Sequence, residues 1–95
     1  MKTRVELDSQ VVAIVRALAP EPRRVVRQAL RRLQDEKGDL KQLEGELAGY
    51  CRLRVRGYRV IVRLYADGSG RVARCVYVER RSIVYETFME ILRGE

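Results

Sequence analysis

The sequence predicts an α+β fold in the order β-α-α-β-β-β-α, with an antiparallel sheet, two N-terminal helices packed on one of its faces and a short C-terminal helix. Three observations carry this. Apolar residues recur at helical spacing between Val11 and Leu33, and they alternate at strand spacing between Tyr50 and Glu79. Glycine-bearing turns divide the second region into short strands. Helices followed by a run of strands imply segregated layers, with helices covering one side of a sheet.

Residues 3–7 alternate weakly and are expected to form a first strand, after which Asp8 or Ser9 offers a helix N-cap. Val11, Val12, Ile14, Val15 and Leu18 then mark one face of a first helix. Pro20 and Pro22 end it, and Pro22 suits the first turn of the next. That second helix is expected to reach about Glu36, burying Val25, Val26, Ala29, Leu30 and Leu33, before Gly38 stops it. Its other face carries Arg23, Arg24, Arg27, Arg31 and Arg32. Residues 39–49 read as a connection, with Leu40, Leu43 and Leu47 as packing anchors and turns at Gly45 and Gly49. Strands are expected over Tyr50–Arg56, Tyr58–Tyr65 and Arg71–Glu79. Gly57 supports a hairpin between the first two, and Asp67-Gly68-Ser69-Gly70 turns the chain into the third. Between Ile83 and Leu92, apolar residues at 84, 88, 91 and 92 suit a short amphipathic helix.

Ninety-five residues suffice for one domain, 1–95, around a single core. No apolar run approaches the roughly 18 residues of a membrane span, and no signal-peptide segment opens the chain. A cytoplasmic location without membrane contact is therefore expected. Cys51 and Cys75 fall in strands without metal-type spacing and read as small buried hydrophobes. The net charge of +7 favours nucleic acid or an acidic protein partner. The absence of histidine removes Ser-His-Asp and Cys-His catalysis and the usual metal ligand. No metal or cofactor is expected. An enzyme built from this sequence must work with arginine, lysine, tyrosine or carboxylates.

The segment from Tyr50 to Arg59 places Arg52, Arg54 and Arg56 on one face of a strand and Cys51, Leu53 and Val55 on the other. Guanidinium groups spaced about 7 Å apart roughly match nucleic-acid phosphates. A second basic cluster follows at Arg80-Arg81-Ser82-Ile83-Val84-Tyr85. An alternating arginine strand can also be a merely solvated face, and this holds more strongly for Arg56, Arg63, Arg71 and Arg74, which no motif singles out. The helix arginines most simply form a solvated face, although ribosomal RNA or an acidic partner segment also suits them. Tyr58 and Tyr77 read as packing residues.

Leu43-Glu44-Gly45, the Arg-Leu-Arg-Val-Arg-Gly-Tyr-Arg run at 52–59 and Val78-Glu79-Arg80-Arg81-Ser82-Ile83-Val84-Tyr85, in this order behind a helix pair, resemble the RelE/ParE superfamily of type II toxin–antitoxin toxins. The resemblance implies a small toxin neutralised by a cognate antitoxin. In its RelE-like branch it implies a metal-independent endoribonuclease, an mRNA interferase that cuts mRNA on the ribosome and inhibits translation. Matched by motif position, the implied catalytic residues are Arg52, Arg54, Arg59, Arg81 and Tyr85, with no cofactor. The ParE branch implies gyrase inhibition instead, and a non-catalytic RNA-binding module of the same fold is a third reading.

The side chains suit metal-free RNA cleavage. The 2′-OH attacks the adjacent phosphate, so the protein must orient that phosphate and stabilise charge on its oxygens. Arg52, Arg54 and Arg59 are placed to clamp the phosphate and Arg81 to stabilise the leaving oxygen. Tyr85 can stack on a base or move a proton. The general base is not evident, because arginine stays protonated. Tyr85 fills that role, or cleavage rests on positioning, or Glu79 serves unless it simply pairs with an arginine.

Overall fold

The periodicities resolve into eight regular elements in a computed structural model that describes residues 2–94. In chain order these are β1 (Arg4–Leu7), α1 (Ser9–Ala17), α2 (Pro20–Arg32), β2 (Asp39–Gln42), β3 (Cys51–Val55), β4 (Tyr58–Asp67), β5 (Gly70–Arg80) and α3 (Val84–Gly94). Short 3₁₀ turns at Leu33–Asp35 and Gly45–Leu47 flank β2. The helix pair, the three long strands and the C-terminal helix fall where the sequence places them. The stretch expected to be a plain connection instead adds the edge strand β2, because Asp39–Gln42 pairs with Cys51–Arg54.

The five strands lie in the order β1-β5-β4-β3-β2. Pairing is antiparallel from β2 through β5, whereas β1 runs parallel to β5, with Arg4 beside Val72 and Leu7 beside Cys75. Strand direction is not written in the residues of β1. It follows from the edge that the strand joins once the β3-β4-β5 meander has fixed the direction of β5. A register shift between Ile61 and Val62, which pair with Tyr77 and Cys75, leaves Val76 as an extra residue in β5.

One face of the sheet packs against α1 and α2. Val11 and Val15 of α1 and Val26 and Leu30 of α2 meet Leu53, Val60, Val62 and Val78 in an apolar core. Each fully buried aliphatic side chain of this kind stabilises the fold by about 1.5–3 kcal/mol. The opposite face carries a smaller core, in which Leu47, Ile61 and Tyr77 receive Val84 and Phe88 from α3. Tyr77 stacks on Phe88 at 5.6 Å between ring centroids, and Tyr50 meets the same ring edge-on at 5.2 Å. Ile91 and Leu92, expected on the buried side of α3, are exposed beyond this cluster.

Local details explain the joints. Asp8 stands at the N-cap of α1 but makes no side-chain cap, because its carboxylate receives Arg74 Nε at 2.8 Å. Gln10 reaches past the end of β1, donating to the Val78 carbonyl at 2.9 Å and accepting from its N–H at 3.0 Å. Gly38 ends the α2 segment at φ +129°, where a Cβ would stand 2.8 Å from Leu53 Cδ1. Cys51 and Cys75 are free and buried, and burial pushes the Cys75 thiol up to about 12.

Candidate RNA-binding face and active site

Antiparallel register decides which side chains share the face opposite α1 and α2. Asp39 pairs with Arg54, Arg54 with Arg59 and Arg59 with Glu79, giving one row across β2, β3, β4 and β5. The neighbouring row runs Lys41, Arg52, Ile61, Tyr77. Because Ile61 and Tyr77 belong to the α3-side core, both rows lie on that side of the sheet. Three of the sequence-derived site residues, Arg52, Arg54 and Arg59, therefore come together. Arg81 and Tyr85 follow at the end of β5 and the start of α3.

The arginines differ in what holds them. Arg52 Nη1 donates to the Asp39 carbonyl at 2.9 Å and to Asp39 Oδ1 at 3.1 Å, and its side chain is only 16% exposed. Arg54 is 55% exposed, with Asp39 Oδ2 4.0 Å from its Nε. Arg52 thus ties β2 to β3, while Arg54 is the open guanidinium of the pair. Arg59 Nη1 donates at 2.8 Å to the carbonyls of both Arg56 and Tyr58. This reaches back into the two-residue turn between β3 and β4, where Arg56 and not Gly57 has a positive φ of 53°. A non-glycine residue in that conformation is held by its surroundings. The Arg59 guanidinium on the Arg56 carbonyl is one such constraint.

Arg81 is exposed, and its N–H donates to the Gly57 carbonyl at 2.9 Å, which fastens the chain after β5 to the tip of the β3-β4 hairpin. Tyr85 is half-buried and packs against the α3-side core. Burial raises the Tyr77 phenol above its ordinary range, and the Glu79 carboxylate adds to the shift. Tyr77 packs as expected, and so does Tyr58, which lies against the helix-side core.

Lys41 is the residue that sequence reading missed. Its strand was not legible, so nothing in the sequence placed it directly across from Arg52. Of the arginines without a motif, Arg71 forms a bidentate pair with Glu36 at 2.7 and 2.8 Å and Arg74 pairs with Asp8. Arg63 lies over the Tyr65 ring, 5.7 Å from its centroid. A groove of about 340 Å³ runs along α2, lined by Pro20, Arg23, Arg24, Arg27, Gln28 and Arg31. Among the described residues, no group of three or more Cys, Asp or Glu side chains is placed to hold a metal ion. Nor is any helix there long and apolar enough to cross a membrane.

Solved structures share this arrangement. A chain of the toxin–antitoxin complex RelBE2 from Mycobacterium tuberculosis superimposes with a TM-score of 0.70 at 23% identity, over 85% of this chain and 100% of that one. A chain of the archaeal RelE-RelB complex from Pyrococcus horikoshii matches with a TM-score of 0.64 at 27% identity, over 85% and 97%. The fold is that of the RelE/ParE toxins. A YoeB/ParE toxin from Agrobacterium tumefaciens gives 0.67 at 14% identity, over 83% and 99%, so RelE/ParE-type structures span nearly their whole length on this chain. No protein-family model matches the sequence, and no curated protein matches it.

Proposed function

We propose that this chain is the toxin of a toxin–antitoxin pair and a metal-independent endoribonuclease that cleaves mRNA on the ribosome. The observation that carries the reading is the Arg54–Arg59 pair on the face opposite α1 and α2, with Arg81 fastened to the same hairpin. Fold neighbours drawn from toxin–antitoxin complexes support the antitoxin partner.

In this reading Arg54 and Arg59 grip the non-bridging oxygens of the scissile phosphate. A guanidinium already held by carbonyls, as that of Arg59 is, needs little reordering as charge builds, and such a fixed donor typically lowers the barrier by about 2.7–4 kcal/mol. Arg52 acts behind them by holding Asp39 and the β2 edge, which sets where Arg54 stands. Arg81 stabilises the departing 5′-oxygen. Tyr85 stacks on a neighbouring base, a contact of about 1–3 kcal/mol. Orientation of the 2′-oxygen in line with the leaving oxygen supplies the rest.

The test is cleavage of a translated mRNA mapped by primer extension, with and without ribosomes. Wild-type protein is expected to cut only on ribosomes. Arg81→Ala and Tyr85→Ala are expected to lower the cleavage rate far more than they lower the unfolding midpoint in urea. Intact mRNA together with a DNA-damage response would instead establish gyrase inhibition, the ParE-like reading. Equal losses of rate and stability would mark both residues as structural.

A further inference from the structure

Four arginines surround the proposed phosphate site, yet none accepts a proton at neutral pH. Two carboxylates stand in the same row, and that of Asp39 is taken up by Arg52. Glu79 is the β5 neighbour of Arg59 and lies one strand beyond the Arg54–Arg59 pair. Adjacent strands are about 4.8 Å apart, so a phosphate seated on Arg54 and Arg59 has the Glu79 carboxylate on its β5 side. Sequence alone leaves open whether Glu79 is consumed in an ion pair. In the fold, Arg59 turns away from it to the carbonyls of Arg56 and Tyr58. Glu79 forms no ion pair among the described residues. Its Oε1 instead accepts the Arg80 N–H at 2.9 Å, which leaves Oε2 without an intramolecular donor among those residues. The strand end that carries it is braced from behind, where Gln10 engages both peptide groups of Val78.

We infer that Glu79 is the general base of the proposed ribonuclease reaction, taking the proton from the attacking 2′-hydroxyl. The inference rests on the ribonuclease reading above. As the 2′-O–P bond forms with the electron pair of the 2′-oxygen, the hydroxyl proton passes to the free Glu79 oxygen. The P–5′-O bond breaks with its electrons on the 5′-oxygen, which takes a proton from water. The products are a 2′,3′-cyclic phosphate and a 5′-hydroxyl, and Glu79 returns its proton to solvent. The charged and titratable groups around the carboxylate are Arg59 across on β4, Arg54 behind it on β3, Tyr77 earlier on β5, and Arg80 and Arg81 next in the chain.

Single-turnover cleavage on mRNA-programmed ribosomes tests this with Glu79→Gln and Glu79→Ala. Glutamine keeps the oxygen that accepts the Arg80 N–H and removes the base. It is expected to slow cleavage by about 10²–10⁴-fold. Toxin binding to the ribosome and the urea midpoint are expected to stay unchanged. Added formate is expected to restore part of the Glu79→Ala rate, as a merely structural carboxylate would not allow. A Glu79→Gln rate within about threefold of wild type, or a slow Glu79→Ala that formate does not rescue, overturns the assignment. Should wild-type protein leave mRNA intact, the ribonuclease reading itself fails, and the base falls with it.

Discussion

Arginines stand on both sides of this sheet, and the two sets are built differently. On α2, Arg24 pairs with Glu21 at 2.7 Å and Arg23 Nε reaches the Leu18 carbonyl at 3.3 Å, while Arg27 and Arg31 have no ion-pair partner among the described residues. They supply field without fixed geometry. On the sheet, Arg52 and Arg59 are tethered to backbone carbonyls, and register places Arg54 between them. An arginine side chain carries about 2 kcal/mol of rotamer entropy, and a tether removes much of it before any ligand arrives. Similar charge on the two faces therefore means different things, attraction on one and orientation on the other.

The largest expected contrast lies in the cores beneath the two faces. Phe88→Ala removes the ring against which Tyr50 and Tyr77 pack and is expected to cost about 3–5 kcal/mol in urea unfolding. Leu30→Ala on the helix side is expected to cost about 2–5 kcal/mol. At matched fraction folded, Phe88→Ala should still cleave more slowly, because α3 carries Tyr85, whereas Leu30→Ala should cleave at the wild-type rate. Equal residual rates would show that the α3-side core only stabilises.

A smaller effect separates the faces by pH. Bidentate Arg71, with the Thr3 hydroxyl second, holds the Glu36 carboxyl down to about 2. A carboxyl depressed in the folded state stabilises it above the unfolded value, near 4.3, and that contribution fades as pH falls toward 2. Wild type is therefore expected to lose its stability advantage over Glu36→Gln between about pH 5 and pH 2, as read from urea midpoints. The advantage should be flat from pH 6 to 8. The smallest effect belongs to the α2 arginines. Arg27→Gln with Arg31→Gln is expected to leave the single-turnover rate on bound ribosomes within about threefold of wild type. The salt dependence of ribosome binding should fall by about one slope unit per arginine if those side chains meet phosphates. A large rate loss would erase the distinction between the faces.

What the sequence made legible follows from where its signal is strong. The helix pair and the β3-β4-β5 meander announce themselves through Val11 to Leu33 and through strict alternation at Cys51, Leu53 and Val55. β2 has one apolar residue, Leu40, among four, so its alternation is invisible, and pairing with β3 alone makes it a strand. With β2 hidden, neither the Asp39 grip on Arg52 nor the place of Lys41 was readable. The arginine row itself was readable, because it lies within one hairpin. Whether Glu79 paired with an arginine depended on Arg59 choosing turn carbonyls, a choice between distant partners that no spacing encodes.

The extra residue in β5 has a consequence for descent as well as for shape. Ala73 and Cys75 point to the helix layer, and simple alternation would send residues 77 and 79 after them. Because Val76 is spare, Tyr77 joins the opposite core and Val78 takes the place beneath the helices. Glu79 is thereby delivered to the arginine row. Deleting Val76 would restore plain alternation with Tyr77, Val78 and Glu79 on their present faces, whereas pairing Val76 in the ladder without the bulge would set Val78 before the arginines and the Glu79 carboxylate beneath the helices. The irregularity in β5, and not the length of the strand, thus decides which face receives Glu79.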